Sequence, residues 1–238
     1  MSNIRVSIYQ KSINRELTSE QKQKISAQKS DFLVLPRYFP FFSGWSSDQE
    51  QKEKKYIDTL LEISEYHKGV VIGGSIFRKQ NNHWIESIPI VQDLNLIDYC
   101  DVKTDYSIGG IQVKGIEGES IYILGGVRFA ILCGDDLFQK NALDRIASER
   151  VELILNPTSI KDCQNEYQED LESYQKVSKE YNFHIIRSSA IGSFGEIQFI
   201  GRSLYTTNTG VKWKVAPTEK NQEILKTVNV SILDNLPR

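Results

Sequence analysis

The sequence predicts a mixed α/β domain, with sheets covered on their outer faces by helices. Three observations carry that expectation. Short apolar runs suit strands buried on both faces, strand and helix patterns alternate through the middle of the chain, and hairpins are interleaved with them. The 238 residues are read as one domain, 1–238, because no repeat, low-complexity tract or Pro/Ser-rich linker interrupts them.

Ile4 to Tyr9 reads as the first strand, and the Lys/Gln-rich stretch Ser19 to Gln28 as a weakly apolar surface helix. The run from Asp31 to Leu35, closed by Pro36, suits a buried strand. Ser46, Ser47 and Asp48 offer N-caps to a helix in which Tyr56, Ile57, Leu60, Leu61 and Ser64 recur at helical spacing, with Gly69 at its end. Val70 to Phe77 is strand-like, and 70–79 with 83–92 reads as a hairpin around Gln80, Asn81 and Asn82. Leu96 to Val102 adds a strand. Ile121 to Leu124 and Val127 to Leu132 form a second hairpin about Gly125 and Gly126. A helix with Leu143, Ile146 and Ala147 inward follows, then a buried strand from Val151 to Leu155 ending at Asn156 and Pro157. Tyr167, Leu171, Tyr174, Val177 and Tyr181 recur every three or four residues, making 165–181 the longest amphipathic helix. Strands at 183–189, 197–207, 211–216 and 223–233 complete the chain.

Lys plus Arg (29) nearly balance Asp plus Glu (31), and no basic stripe appears, so no nucleic-acid or membrane partner is expected. Unbroken apolar runs reach only four or five residues, against the roughly 18 that span a bilayer. No cationic leader with a cleavage site surrounds residues 4–9, and a cytoplasmic protein is expected. Cys100, Cys133 and Cys163 are odd in number and lack CxxC spacing, which disfavours a disulfide framework and a zinc knuckle. His67 and His83 lie near a helix end and a turn, where imidazoles are commonly solvated, and His184 reads as packed. Neither metal nor cofactor is expected. Gly73-Gly74 and Gly109-Gly110 read as turns or close backbone approaches, since neither opens a helix.

Reactive side chains in such sheets gather at the carboxyl ends of strands. Three ends stand out: 34–39, 99–103 and 129–136. Cys133 closes an apolar strand and is followed by Gly134, a sharp turn that presents a thiol beside backbone N–H groups. The alternative is a buried core cysteine. Cys100 within a strand and Cys163 in a polar loop carry no such signal.

Taken together, these segments resemble the nitrilase (carbon–nitrogen hydrolase) superfamily over residues 4–233. The stretch from Phe32 to Pro40 resembles the family's glutamate-bearing strand. Ile72 to Ser75, continuing through Tyr99 to Lys103, resembles the hairpin leading to its lysine. Val127 to Asp136 resembles the nucleophile segment with Cys133 in the cysteine's place, and Leu153 to Ser159 the strand that follows. Phe199 to Ser203, with Asn208 to Gly210 downstream, resembles the closing glycine–serine motif. Arg37 precedes Lys103 by 66 residues and Lys103 precedes Cys133 by 30, an order and spacing that suit the family. The resemblance implies a four-layered αββα sandwich, a Glu-Lys-Cys triad, no metal, and pairing of subunits into a homodimer.

One departure stands out: the family's glutamate position holds Arg37. A guanidinium has no acceptor lone pair and cannot take a proton. The second glutamate that many relatives carry after the lysine is absent, since Thr104 to Val113 contains only Asp105 as an acid. Gly134 stands where relatives usually place an aromatic residue, and Glu180 sits at a helix-motif glutamate whose flanks do not match.

With Arg37 and Lys103 both beside Cys133, the thiol is expected to ionise by charge rather than by proton abstraction. Candidate substitute acids are Asp135, Asp136, Glu117 and Glu119, while Tyr38, Phe39 and Gly134 are candidate pocket residues within an aromatic cluster that includes Phe41, Phe42 and Trp45. Arg37 has two further readings: it binds a substrate carboxylate or phosphate, or it turns outward to a surface acid. The leading functional expectation is an amidase-type hydrolase acting on a small amide through a Cys133 thioester. The alternatives are a catalytically silent relative that binds a ligand or protein partner, and a redox-responsive Cys133.

Overall fold

The computed structural model describes residues 2–40, 49–162 and 166–232. The expected N-caps Ser46, Ser47 and Asp48, the aromatic residues Phe41, Phe42 and Trp45, and Cys163 lie outside the described residues.

In chain order the first half runs β1 (Ser2–Ser12), α1 (Ser19–Gln28), β2 (Phe32–Val34), α2 (Gln49–Tyr66), β3 (Val70–Ile72), β4 (Ile76–Gln80), β5 (His83–Gln92), β6 (Asn95–Asp101), β7 (Tyr106–Ile108) and β8 (Ile111–Val113). The second half runs β9 (Ile121–Leu124), β10 (Val127–Ile131), a 3-10 turn (Gly134–Phe138), α3 (Lys140–Ser148), β11 (Leu153–Lys161), α4 (Tyr167–Tyr181), β12 (His184–Phe194), β13 (Ile197–Ile200), β14 (Leu204–Thr207), β15 (Gly210–Lys214) and β16 (Ile224–Ile232).

These strands build two sheets. In the first, β1, β2 and β3 are parallel neighbours, β16 runs antiparallel along β1, and β5 pairs antiparallel with β3, β4 and β6. In the second, β10, β11 and β12 are parallel, with β9 and β14 antiparallel beside them. The last residues of β1 pair with β12 and join the two sheets.

The two-residue periodicity of the apolar strands makes four layers. Val6, Ile8, Phe32, Val34 and Ile72 point inward to meet Phe129, Ile131, Leu153, Leu155 and Ile186 of the other sheet. The alternate residues Leu33, Leu35 and Val71 turn outward and are covered by Ile25, Tyr56, Leu60 and Ile63 of α1 and α2. Ala130, Leu132, Ile154 and Ile185 likewise meet Leu143, Ile146, Leu171, Tyr174 and Val177 of α3 and α4. The result is an αββα sandwich. The apolar stripe of α4 is used on its own sheet, so it carries no argument for subunit pairing.

Several stretches differ from the sequence expectation, and the strand expected over 197–207 divides into β13 and β14 because β13 pairs with the end of β12 and β11 while β14 pairs with the start of β12. Val70 to Phe77 is not one strand: it breaks at Gly73 to Ser75, where Gly74 has φ +49° and a Cβ would lie 2.1 Å from the Phe39 carbonyl oxygen. The strand from Val151 does not end at Pro157 but continues to Lys161, because β12 remains paired alongside it through Ser159. The Gly109–Gly110 turn connects a short hairpin, β7 with β8, whose strands the pattern does not reveal.

His67 departs from the solvated expectation as well. The chain leaving α2 folds back so that the Val70 N–H donates to the Asp31 carbonyl (2.8 Å), and the imidazole is left only 2 % exposed. Burial pushes its pKa down to about 4. The folded state therefore holds it neutral while the unfolded chain protonates near the ordinary histidine value. Its contribution is fully present above pH 6.5 and is lost as pH falls toward 4. The expected loss is about 3 kcal/mol. Urea unfolding at a series of pH values should show it, and His67→Gln should flatten the curve in that window.

Candidate active site

Cys133 lies at the end of β10, in the position the αββα layering makes the mouth of the second sheet. Its side chain is buried (3 % exposed), and its thiol donates toward Glu86 Oε1 at 4.0 Å. Glu86 comes from the middle of β5 and is fully buried. It is the functional residue that sequence reasoning missed. A lone acid inside an apolar strand was the available signal, since a buried carboxylate requires a partner.

That partner is Arg37, which follows the end of β2. Its Nε donates to Glu86 Oε1 (2.9 Å) and its Nη2 to Oε2 (2.6 Å), a fork-to-fork geometry. The carboxylate accepts further from the Ser75 hydroxyl and from the Tyr106 phenol. The guanidinium lies 4.8 Å from the ring centres of both Tyr38 and Tyr106. Burial disfavours its charge, but Glu86 beside it keeps Arg37 protonated. The outward-facing reading of Arg37 is thus corrected: it points inward because a buried counter-charge waits there.

Gly134 completes this arrangement. Its φ is +50°, and a Cβ there would stand 2.7 Å from Arg37 Nη1. Arg37 is held in place by two bonds to Glu86 and has no free path aside. A larger residue at 134 and an arginine at 37 compete for one space, so Arg37 and Gly134 are physically coupled.

The expected ionisation of Cys133 is also corrected. Burial raises its pKa well above the ordinary thiol value. Arg37 lowers it in part, and Glu86 and Asp136 raise it again. A neutral, buried thiol is the opposite of what a peroxide-sensitive cysteine needs, which removes the support for the redox reading.

Lys103 does not join the cluster at its ammonium. Asp136 Oδ2 accepts from the Lys103 backbone N–H (2.9 Å), and Nζ reaches the Gly118 carbonyl (2.7 Å). The expected meeting of sulfur, guanidinium and ammonium is therefore realised for the first two groups, with Lys103 drawn to the 115–119 loop.

Of the four substitute acids, Asp136 and Glu119 are engaged elsewhere, and Glu117 and Asp135 are exposed. Asp136 also accepts from the Thr104 hydroxyl (2.6 Å). Burial raises its pKa, and the bonds from Lys103 and Thr104 offset part of that rise. Glu119 binds the Ser120 and Ile121 N–H groups and Arg145. Glu117 is exposed, while Asp135 is exposed at the wall of the cavity described next.

A cavity of about 430 Å³ opens beside this cluster and is lined by Arg37, Tyr38, Tyr106, Gly134 and Asp135 among others. Of the expected pocket residues, Tyr38 and Gly134 line it. Phe39 does not: it is fully buried in the core under α2, with Lys11 Nζ 5.9 Å from its ring centre. Tyr38 is fixed by Phe77, Phe194 and Phe199, all within 5.9 Å between ring centres.

The turn that carries Cys133 is braced from behind. Asn156 Nδ2 donates to the carbonyls of Leu132 and Gly134, and the Tyr174 hydroxyl of α4 donates to Asn156 Oδ1 (2.7 Å). Cys100, by contrast, is packed with its thiol toward the Ile131 and Glu119 carbonyls.

Comparison with known proteins agrees with this architecture. No protein-family model matches the chain, and no curated protein matches it in sequence. Solved structures do match. The amidase of the nitrilase superfamily from Nesterenkonia sp. AN1 has a TM-score of 0.78 at 15 % identity, over 97 % of this chain and 92 % of that one. The fold is that of the nitrilase superfamily. One variant of that amidase carries the acetamide moiety of fluoroacetamide covalently at its active-site cysteine. The glutamine-dependent NAD+ synthetase from Acinetobacter baumannii also has a TM-score of 0.78, at 14 % identity and over 97 % of this chain. The present chain covers 46 % of the synthetase's length. Among the described residues, no helix of the nitrilase-fold chain is long and apolar enough to cross a membrane.

Proposed function

We propose that the protein is an amidase-type carbon–nitrogen hydrolase in which Cys133 is the nucleophile, Glu86 the proton acceptor and Arg37 the cation. The observation that carries this reading is the contact of the Cys133 thiol with the Glu86 carboxylate at 4.0 Å, beside a cavity wall formed by Arg37 and Gly134. A nitrilase triad needs one thiol, one carboxylate and one cation. Here the same three charges are supplied with the carboxylate on β5 and the cation at the end of β2.

In the reaction, the thiol proton passes to Glu86 as sulfur attacks the amide carbonyl carbon. Arg37 faces the negative oxygen that develops. Glu86 returns the proton to the departing amine, leaving a thioester on Cys133. Water then gives a proton to Glu86 and attacks the thioester, and the acid leaves as the proton returns to sulfur. The carboxylate also accepts from Arg37, Ser75 and Tyr106, so most of its lone pairs are already taken up. That same saturation favours a second reading, a silent relative that binds a small amide without hydrolysing it.

Fluoroacetamide separates the two. The amidase reading expects a single covalent adduct by mass spectrometry that Cys133→Ser abolishes, together with ammonia release from simple amides. Absence of any Cys133 adduct sinks it, and an adduct without ammonia release supports the silent relative.

A further inference from the structure

Glu86 sits within reach of the sulfur but behind the cavity wall. It is fully buried, and its side-chain partners among the described residues are Arg37, Ser75, Tyr106 and the Cys133 thiol. Its two oxygens divide them. Oε1 faces Cys133, Ser75 and Arg37 Nε, whereas Oε2 accepts from Arg37 Nη2 and the Tyr106 phenol. Of the groups that donate to this carboxylate, Arg37 and Tyr106 line the cavity, while Ser75, 1 % exposed, does not.

Amide hydrolysis needs protons on the cavity side. The departing nitrogen and the incoming water both lie across the carbonyl carbon from sulfur, and each must exchange a proton with the buried acid. Arg37 cannot carry it, because a guanidinium keeps all of its protons. A phenol can, since its oxygen accepts while its O–H donates. The Tyr106 ring packs against the apolar clusters of two layers and lies 4.8 Å from the Arg37 guanidinium, so the hydroxyl is held in place. Burial, reinforced by Glu86, keeps its pKa well above the ordinary tyrosine value. It stands protonated, and gives a proton up only as it takes another.

We propose that Tyr106 is a catalytic residue, the carrier that passes protons between Glu86 and the cavity. This deepens the amidase-type reading and rests on it. In acylation, Glu86 gives the proton taken from sulfur to the Tyr106 oxygen as Tyr106 gives its own to the departing nitrogen, and the carbon–nitrogen bond breaks. In deacylation, water gives a proton to the Tyr106 oxygen as it bonds to the thioester carbon, and the Tyr106 proton moves to Glu86 along the hydrogen bond already present. The carbon–sulfur bond then breaks, and Glu86 returns the proton to sulfur. Tyr106 ends each step as it began.

The test uses p-nitrophenyl acetate, whose leaving group departs without a proton, beside butyramide, whose leaving group needs one. Tyr106→Phe keeps the ring and loses the hydroxyl. Its nitrophenolate burst should match that of the unaltered protein, showing that the site is intact. Steady-state ester turnover and ammonia release from butyramide should each fall by about 10²- to 10⁴-fold, and acetylated Cys133 should accumulate by mass spectrometry. Hydroxylamine, which attacks a thioester without the help of a base, should restore ester turnover in the variant. Undiminished turnover in Tyr106→Phe overturns the proposal and leaves the amidase reading standing. So does loss of the burst, or a fall in Asp135→Asn but not in Tyr106→Phe, which would assign the water to the other acid-bearing wall of the cavity. Absence of any Cys133 adduct in the unaltered protein removes the amidase reading, and the carrier with it.

Discussion

Glu86→Gln is expected to lower amide turnover by about 10²- to 10⁴-fold, the usual effect of removing a general base. The same substitution should make Cys133 more reactive, not less, toward iodoacetamide near pH 8. The buried carboxylate is one of the influences that hold the thiol protonated, and Arg37 opposes it. With the carboxylate gone, the guanidinium acts on the sulfur uncontested. Turnover and alkylation moving in opposite directions is the signature of a proton acceptor. Both falling together would point to collapse of the site, and far-UV circular dichroism with a urea titration distinguishes that case.

Arg37→Ala is expected to destabilise the fold by about 3–5 kcal/mol, the cost of leaving a buried charge without its partner. Glu86 is fully buried and Arg37 is 13 % exposed at its side chain, so solvent screens the pair little. Urea denaturation measures the loss. Arg37→Lys should fall between, because an ammonium restores the charge but not the two-pronged geometry. The double variant Arg37→Ala with Glu86→Gln should cost less than the sum of the single changes, since removing both charges leaves neither stranded. Additive losses would mean that the pair is not the source of the energy. Arg37→Ala should also slow alkylation of Cys133, by raising the thiol further.

The layering of the fold was legible because its cause is local. Val6, Ile8, Phe32 and Val34 alternate with residues such as Leu33 and Leu35, and both sets are apolar, which only a strand covered on both faces requires. The helix α4 was readable from its periodicity and α1 from its Lys/Gln-rich, weakly apolar composition. What escaped was non-local. β11 runs on to Lys161 only because β12 lies beside it through Ser159 and β13 beside Ile160 and Lys161, and β7 and β8 are three residues each, too short for a pattern.

The site was half legible for the same reason. Cys133, Gly134 and Arg37 stand at strand ends where side chains meet a crevice. Glu86 sits mid-strand, and nothing in its neighbours says that β5 passes beneath Arg37. The arginine was informative nonetheless. A permanent charge closing an apolar strand, and a lone acid inside another, are each costly alone and cheap together. Lys103 was assigned by alignment of order and spacing, which carry no information on where a flexible side chain ends.

The contact between Arg37 and Gly134 has a consequence for anyone redesigning this protein or tracing its ancestry. The two sites form a lock that opens only with both keys. Writing glutamate at 37 alone would set it against Glu86, and writing a bulky ring at 134 alone would drive it into the guanidinium. Residues 37 and 134 therefore constrain each other: whatever stands at one sets the room left at the other.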